Sequence, residues 1–245
     1  MKPLLASLLL VTANASAQVP ESGRWQELSF SADEVDASME ERYIDRTVDL
    51  AAAGKLDEDQ RLLARLRYIS VELIRVAVAI KPEVAQWRWE VHTTSDPDVD
   101  AMCMAGGKIL VGSAFVRQLA LTDGELATLL AHEVAHVVAE HARETLSEAM
   151  LLNRLPVVPL EVVMARLDSD LSLQIRLSKL SSLQESEADQ LGMVLAHRAG
   201  WSADDMISFY RKLAVGEQSA LVSSAYPASA SRLSMAQGMA RLFGD

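Results

Sequence analysis

Apolar residues at Leu62, Leu63, Leu66, Ile69, Leu73, Ile74 and Val76 recur three to four positions apart, the spacing that gathers them on one face of a helix. The helical pattern runs from Asp33 to Ile80, breaks once at Ala53-Gly54-Lys55, and is closed by Pro82. Asp57 is the expected N-cap of its second helix, and the charged first half is expected to face solvent. The period then changes to two: Trp87, Trp89 and Val91 alternate with Arg88, Glu90 and His92, which predicts a half-buried strand. Ser95-Asp96-Pro97-Asp98 reads as a turn. Ala101 to Met104 and Lys108 to Val111 read as two short strands about Gly106-Gly107. A helix follows from Ser113 to Ala120. Thr122-Asp-Gly-Glu125 is a capping box, expected to open a long helix to about Ser147.

The stretch from Leu146 to Leu180 is more apolar, but Pro156 and Pro159 interrupt it, and Arg154, Glu161, Arg166, Asp168 and Asp170 divide it. It holds no run of about twenty apolar residues, as a bilayer span requires, so a packed hairpin is expected. Helices over Ser181–Arg198, from Ser202 to about Ala214, and to Phe243 complete the pattern. No repeat of about 30–50 residues occurs. The reading is α+β and mostly helical: a single domain over residues 33–245 with a small edge sheet.

Composition adds a compartment. Met1-Lys2, the apolar run Leu4 to Val11 and Ala15-Ser16-Ala17 have the order of an export leader over residues 1–17, with cleavage before Gln18. Residues 18–32, with Pro20 and Gly23, form an extended lead-in. The apolar run is too short to span a bilayer, and the mature chain is expected to have no transmembrane segment. Cys103 is the only cysteine, so no intramolecular disulfide exists; it reads as a small apolar residue rather than a nucleophile. A net charge of −11 without any basic cluster excludes nucleic acid as a partner and lends no support to anionic lipid.

The chemistry concentrates in His132-Glu133-Val134-Ala135-His136. Two histidines four apart on a helix lie about 40° around and one turn along, so both imidazoles reach one ion. Glu133 is then placed as a general base. The alternative is a solvated helix face, but Leu126, Leu129, Leu130, Val134, Val137 and Val138 make this helix apolar. Burying three ionisable groups there without a partner is costly. A zinc site needs a third protein ligand. His141, five positions on, lies about 140° around a straight helix and fails unless the chain bends; it is expected at the surface or behind the ligands. His92 and His197 have no local motif. Glu185-Ser-Glu-Ala-Asp189 places Glu185 and Asp189 on one helix face, the first as ligand and the second as hydrogen-bond acceptor for a ligating histidine. Alone it would read as an acidic solvated face.

Taken in order, Cys103-Met-Ala-Gly-Gly-Lys-Ile, His132-Glu-Val-Ala-His and Glu185-Ser-Glu-Ala-Asp resemble the zinc metallopeptidase family that includes HtpX, the CAAX prenyl proteases, BepA and LoiP. The resemblance covers about residues 40–240. It implies a gluzincin-like domain with an active-site helix, one Zn²⁺ per chain on His132, His136 and Glu185, Glu133 as base, and Asp189 behind the ligands. It also implies that Gly106, Gly107, Lys108 and Ile109 form the cleft rim, where an extended substrate adds as a strand. Tyr226-Pro227 followed by Arg232 stands where the family has His-Pro followed by Arg. Tyr226 is therefore assigned to transition-state stabilisation as a phenol donor, and Arg232 to the surroundings of the metal. The implied activity is peptide-bond hydrolysis in misfolded or misassembled envelope proteins, in the periplasm, with outer-membrane or envelope assembly proteins as partners. The competing reading is a holdase or assembly factor with latent proteolysis, to which ten methionines would lend adaptable surface; ordinary core packing accounts for them as well.

Overall fold

The structure, a computed structural model, describes residues 15–152, 158–217 and 229–244. It opens with an antiparallel hairpin, β1 (Ala15–Gln18) and β2 (Trp25–Leu28), in which Gln18 lies opposite Trp25. The lead-in is thus paired rather than merely extended. Gln26 and Leu28 turn inward while Trp25 and Glu27 face out. The expected leader lies outside the described residues up to position 14, and its last three residues belong to β1.

Helix α1 (Ala32–Ala52) is capped by Ser31, whose side chain accepts from the Glu34 N–H. Helix α2 (Gln60–Ile80) buries Leu62, Leu63, Leu66, Ile69, Leu73 and Val76 on the face its periodicity marks. Its N-cap is Asp59, not Asp57. Asp57 is drawn across the chain instead: at φ +54° its carboxylate accepts the Thr93 N–H at 2.8 Å and faces His92 Nδ1 at 2.5 Å. Pro82–Gln86 coil into a 3₁₀ turn, so the strand begins later than the alternation suggests, as β3 (Glu90–Thr94).

Strands β4 (Ala101–Met104) and β5 (Lys108–Gly112) follow, joined through Gly106 and Gly107 at φ +78° and +80°. A Cβ on Gly107 would lie 2.7 Å from the Trp89 ring, so the turn needs glycine for space as well as conformation. The sheet order is β3-β5-β4, parallel then antiparallel. β5 is central and wholly buried.

Helix α3 (Ser113–Gln118) leads to α4 (Asp123–Val138), which the capping box launches: Thr122 N–H donates to Glu125 Oε2 at 2.8 Å, and Glu125 N–H donates to Thr122 Oγ1 at 3.3 Å. The single helix expected to Ser147 is broken. Glu140 takes φ +55°, and α5 (His141–Leu152) starts beyond it. A left-handed residue costs roughly 1–2 kcal/mol. Ion pairs of Glu140 with Lys81 and Arg143, both at 2.9 Å, offset that cost.

Helices α6 (Leu160–Ser169) and α7 (Leu171–Arg198) form the expected hairpin, closed by Leu146, Ala149, Val163, Met164, Leu173 and Leu177; Pro156 lies outside the described residues. Helices α8 (Ala203–Glu217) and α9 (Ser229–Phe243) complete the fold. Among the described residues no helix is long and apolar enough to cross a membrane. α4 sits at the centre of the main core, packed against α7, α2, α8 and β4. Gly192 of α7 lets the backbones meet: a Cβ there would stand 2.9 Å from both Cα and N of His132.

Candidate metal centre

The close approach of α4 and α7 brings His132, His136 and Glu185 together, with one ligand-type atom from each within 4.8 Å of the others. His132 Nε2 and His136 Nε2 are 3.2 Å apart; Glu185 Oε2 lies 3.4 Å from the first, and Glu185 Oε1 lies 3.4 Å from the second. A tetrahedral ion with bonds of about 2.05 Å places its ligands about 3.3 Å apart, close to the 3.2 Å between the two Nε2 atoms and to the 3.4 Å from each imidazole to its nearer Glu185 oxygen. Glu185 Oε2 is buried and has no hydrogen-bond partner, although it lies 3.4 Å from the His132 imidazole, as a ligand oxygen would. Donor chemistry and spacing therefore both fit the ion.

The surroundings fit as well. His132 Nδ1 lies 3.0 Å from Asp189 Oδ1, which leaves Nε2 free to face the triangle. Asp189 is itself held by Arg232, with Nε on Oδ2 at 2.8 Å and Nη2 on Oδ1 at 2.6 Å, and by the Tyr210 hydroxyl at 3.0 Å. Burial would lower the His132 pKa, but Asp189 and Glu185 together raise it to about 10. Carboxylates that hold a proton there also attract a cation. Burial would raise Asp189, but His132 and Arg232 bring it to about 2.

Glu133 projects beside the triangle, half-buried, and meets the Cys103 backbone N–H of β4. Burial pushes its carboxyl up to about 7, against the pull of His132. Cys103 is partly buried, and burial together with the Glu133 charge raises its thiol well above its ordinary value.

Of the two places expected for His141, the structure shows the one behind the ligands. His141 is buried, not at the surface: the break at Glu140 supplies the bend that a straight helix lacks, and its Nδ1 stands 3.0 Å from His136 Nδ1. It is outside the ligand triangle and behind it. The expected rim shifts. Gly106 and Gly107 form the β4–β5 turn, and Lys108 is buried with Nζ on Arg88 O and Glu90 Oε1, both at 2.7 Å. Ile109 is fully buried in the central strand. Both edges of β5 are taken, so Lys108 and Ile109 have no free edge for an added strand; among the described residues no strand pairs with the outer edge of β4, alongside Glu133.

Tyr226 lies outside the described residues. Tyr210 had no signal in the sequence. His92 pairs with Asp57, and His197 stacks on Phe243 at 4.2 Å. A cleft of about 180 Å³ opens beside His132 and Glu133, walled by Phe115, Leu129, Phe209 and Leu213, with Asp100 and Arg232 as polar members. A wider surface hollow of about 830 Å³, near Trp201 and Arg241, shares no residue with the centre.

Two histidines and a glutamate from two helices, with a further glutamate between the histidines, define a metallopeptidase of the gluzincin type. The profile of peptidase family M48 matches residues 64–240, and the chain belongs to that family. It is 34% identical over 130 residues to mitochondrial metalloendopeptidase OMA1 of Saccharomyces cerevisiae, covering 52% of this chain and 37% of that protein. It is 26% identical over 266 residues to the β-barrel assembly-enhancing protease of Yersinia pestis, covering 97% and 52%. It is 30% identical over 144 residues to metalloprotease LoiP of Escherichia coli, covering 55% and 56%. The chain thus spans about half or less of each relative's length.

Proposed function

We propose that this chain is a zinc-dependent endopeptidase, exported to the periplasm, that hydrolyses peptide bonds in envelope proteins. The observation that carries the proposal is the His132–His136–Glu185 cluster, one ligand atom of each within 4.8 Å of the others, beside Glu133. One zinc on these three residues supplies a Lewis acid for the scissile carbonyl and makes a water more acidic. Glu133 takes the proton of the attacking water on its carboxylate and returns it to the departing amine nitrogen. Asp189 accepts from His132 Nδ1 and fixes its tautomer, while Arg232 and Tyr210 hold Asp189 in place. Tyr226 is assigned the oxyanion donor; unchanged turnover in Tyr226→Phe would remove it from the mechanism.

The outer edge of β4, Ala101–Met104, is where an extended peptide adds as a strand, with the scissile bond beside Glu133. Gly106, Gly107, Lys108 and Ile109 support that edge from behind. A cleft of about 180 Å³ is smaller than the roughly 300–1,000 Å³ of sites for whole small molecules, and suits one side chain of a polymer. Its aromatic and aliphatic walls favour an apolar residue. Export rests on the leader pattern. The name of the Yersinia relative supports β-barrel proteins, or the proteins that assemble them, as substrates and partners.

The test is casein cleavage by the purified chain with and without a zinc chelator, beside Glu133→Gln with its zinc content measured. Chelator-sensitive cleavage, lost in a variant that still holds zinc, is the expected result. Zinc bound by both proteins with cleavage by neither would bring the holdase reading forward. No zinc in either would end the metal reading.

A further inference from the structure

Each ligating imidazole that offers Nε2 to a cation must carry its proton on Nδ1, and that proton needs an acceptor. For His132 the acceptor is Asp189. Among the described residues no carboxylate reaches His136 Nδ1; that atom meets His141 Nδ1 at 3.0 Å. An imidazole accepts at Nδ1 only if its own proton sits on Nε2. The Nε2 of His141 lies 3.4 Å from Glu187 Oε2, and both side chains are buried. Glu187 is gripped in turn by Arg24 of the N-terminal hairpin, with Nε on Oε1 and Nη2 on Oε2, both at 2.8 Å. The same guanidinium reaches Glu144 through Nη1 at 2.5 Å and Nη2 at 2.8 Å. Gln184 ties Glu144 to the His141 carbonyl at 2.9 and 3.1 Å.

We propose that Arg24, Glu187 and His141 form a relay that fixes His136 in the tautomer presenting Nε2 to the metal, making the hairpin a working part of the centre. The proposal rests on the zinc reading above. His141, Glu187 and Arg24 are positioning residues: none touches the ion or the substrate. The bidentate fork of Arg24 sets the Glu187 carboxylate, that carboxylate sets the His141 proton, and the bare Nδ1 of His141 sets the His136 proton.

The test is a zinc titration of the full chain in competition with a chromophoric chelator, joined to nitrogen NMR of the histidine tautomers. The unaltered chain is titrated first. If it binds no zinc, the metal reading itself fails, and this is seen before any variant is compared. His141→Phe, which removes the acceptor, is expected to bind zinc about 10- to 100-fold more weakly. His141→Asn puts an amide oxygen near the Nδ1 position and is expected to stay within about threefold of the parent. Arg24→Met is expected to weaken binding about tenfold, whereas Arg42→Ala, which breaks an exposed pair with Asp168, leaves it unchanged. A purely structural role for His141 would not move the His136 tautomer; here the zinc-free parent shows the Nδ1-protonated form and His141→Phe shows a mixture. Should His141→Phe fail to fold, Arg24→Met decides. Parental zinc affinity with an unchanged His136 tautomer in either variant overturns the relay.

Discussion

Gly192→Ala isolates the approach of α7 to α4 on which the proposed metal centre depends. The added Cβ would stand 2.9 Å from Cα and N of His132 and 3.1 Å from the Ala131 carbonyl carbon, against an ordinary contact of 3.4–4 Å. The atoms met are backbone, so no side chain can swing aside, and α7 must retreat by about 0.5–1 Å. Gly192 shares a helix face with Glu185 and Asp189 at seven and three residues' distance, so the retreat carries the third ligand with it. Metal sites tolerate only about 0.2 Å in ligand distance, so zinc affinity should fall about tenfold or more. Stability moves less. Helix propensity favours alanine by about 0.8–1 kcal/mol, while overpacking costs about 1–3 kcal/mol. The net change is about 0–2 kcal/mol, or a Tm lower by up to about 8 °C. The assay is zinc competition titration with melting followed by circular dichroism. Gly238→Ala, exposed on α9 with nothing within 4 Å, is the control and should gain about 0.5–1 kcal/mol. Parental zinc affinity together with a raised Tm in Gly192→Ala would refute the claim that this contact sets the ligand spacing.

Four other outcomes are expected. Free zinc at about 100 times its Kd should stabilise the chain by about 2.7 kcal/mol and raise Tm by about 5–10 °C, reversed by chelator in a thermal melt. Arg232→Met leaves the Asp189 carboxylate buried without its main cation and should cost about 3–5 kcal/mol in urea denaturation. Burial would raise Glu125 and Glu140, but Lys212 and Thr122 hold the first below its ordinary 4.5 and Lys81 and Arg143 hold the second below it. A depressed folded pKa gives stability that is full above 4.5 and lost as pH falls through the folded value, so the urea midpoint should drop on acidification below about pH 4.5. Glu125→Gln should flatten that drop. Leu213→Trp, which fills the cleft beside Glu133, should lower kcat/KM about tenfold for peptides with a large apolar residue at the scissile bond and spare those with glycine there.

What the sequence makes legible is local. The capping box at Thr122, the histidines of α4 and the face shared by Glu185 and Asp189 follow from helical periodicity, because each depends on neighbours a few positions away. The break at Glu140 does not, since glutamate has no preference for positive φ; Lys81, just past the end of α2, and Arg143 hold it there. Asp57 is a good cap on paper, but the Thr93 N–H, 36 positions on, takes it away and leaves the cap to Asp59. Strand order is also hidden from alternation. The continuous apolar run Ile109-Leu110-Val111 is the mark of a central strand and points away from a rim. Tyr210 and Arg24 act across 21 and 163 positions, so no spacing rule reaches their partners.

On the proposed ligand set, the position of Glu185 would make the metal a cross-link. His132 and His136 come from one helix, and an ion on those two alone constrains only one turn. Adding Glu185 staples α4 to α7 across residues 137–184, the whole excursion through α5 and α6. The foot of that excursion is anchored by Gln184 on the His141 carbonyl, and among its described residues none belongs to the ligand group. Closure entropy grows only as the logarithm of loop length, about 0.6 kcal/mol for each doubling. The grip of such an ion on α4 and α7 therefore depends little on the exact length of chain it encloses, and far more on how closely the two helices meet.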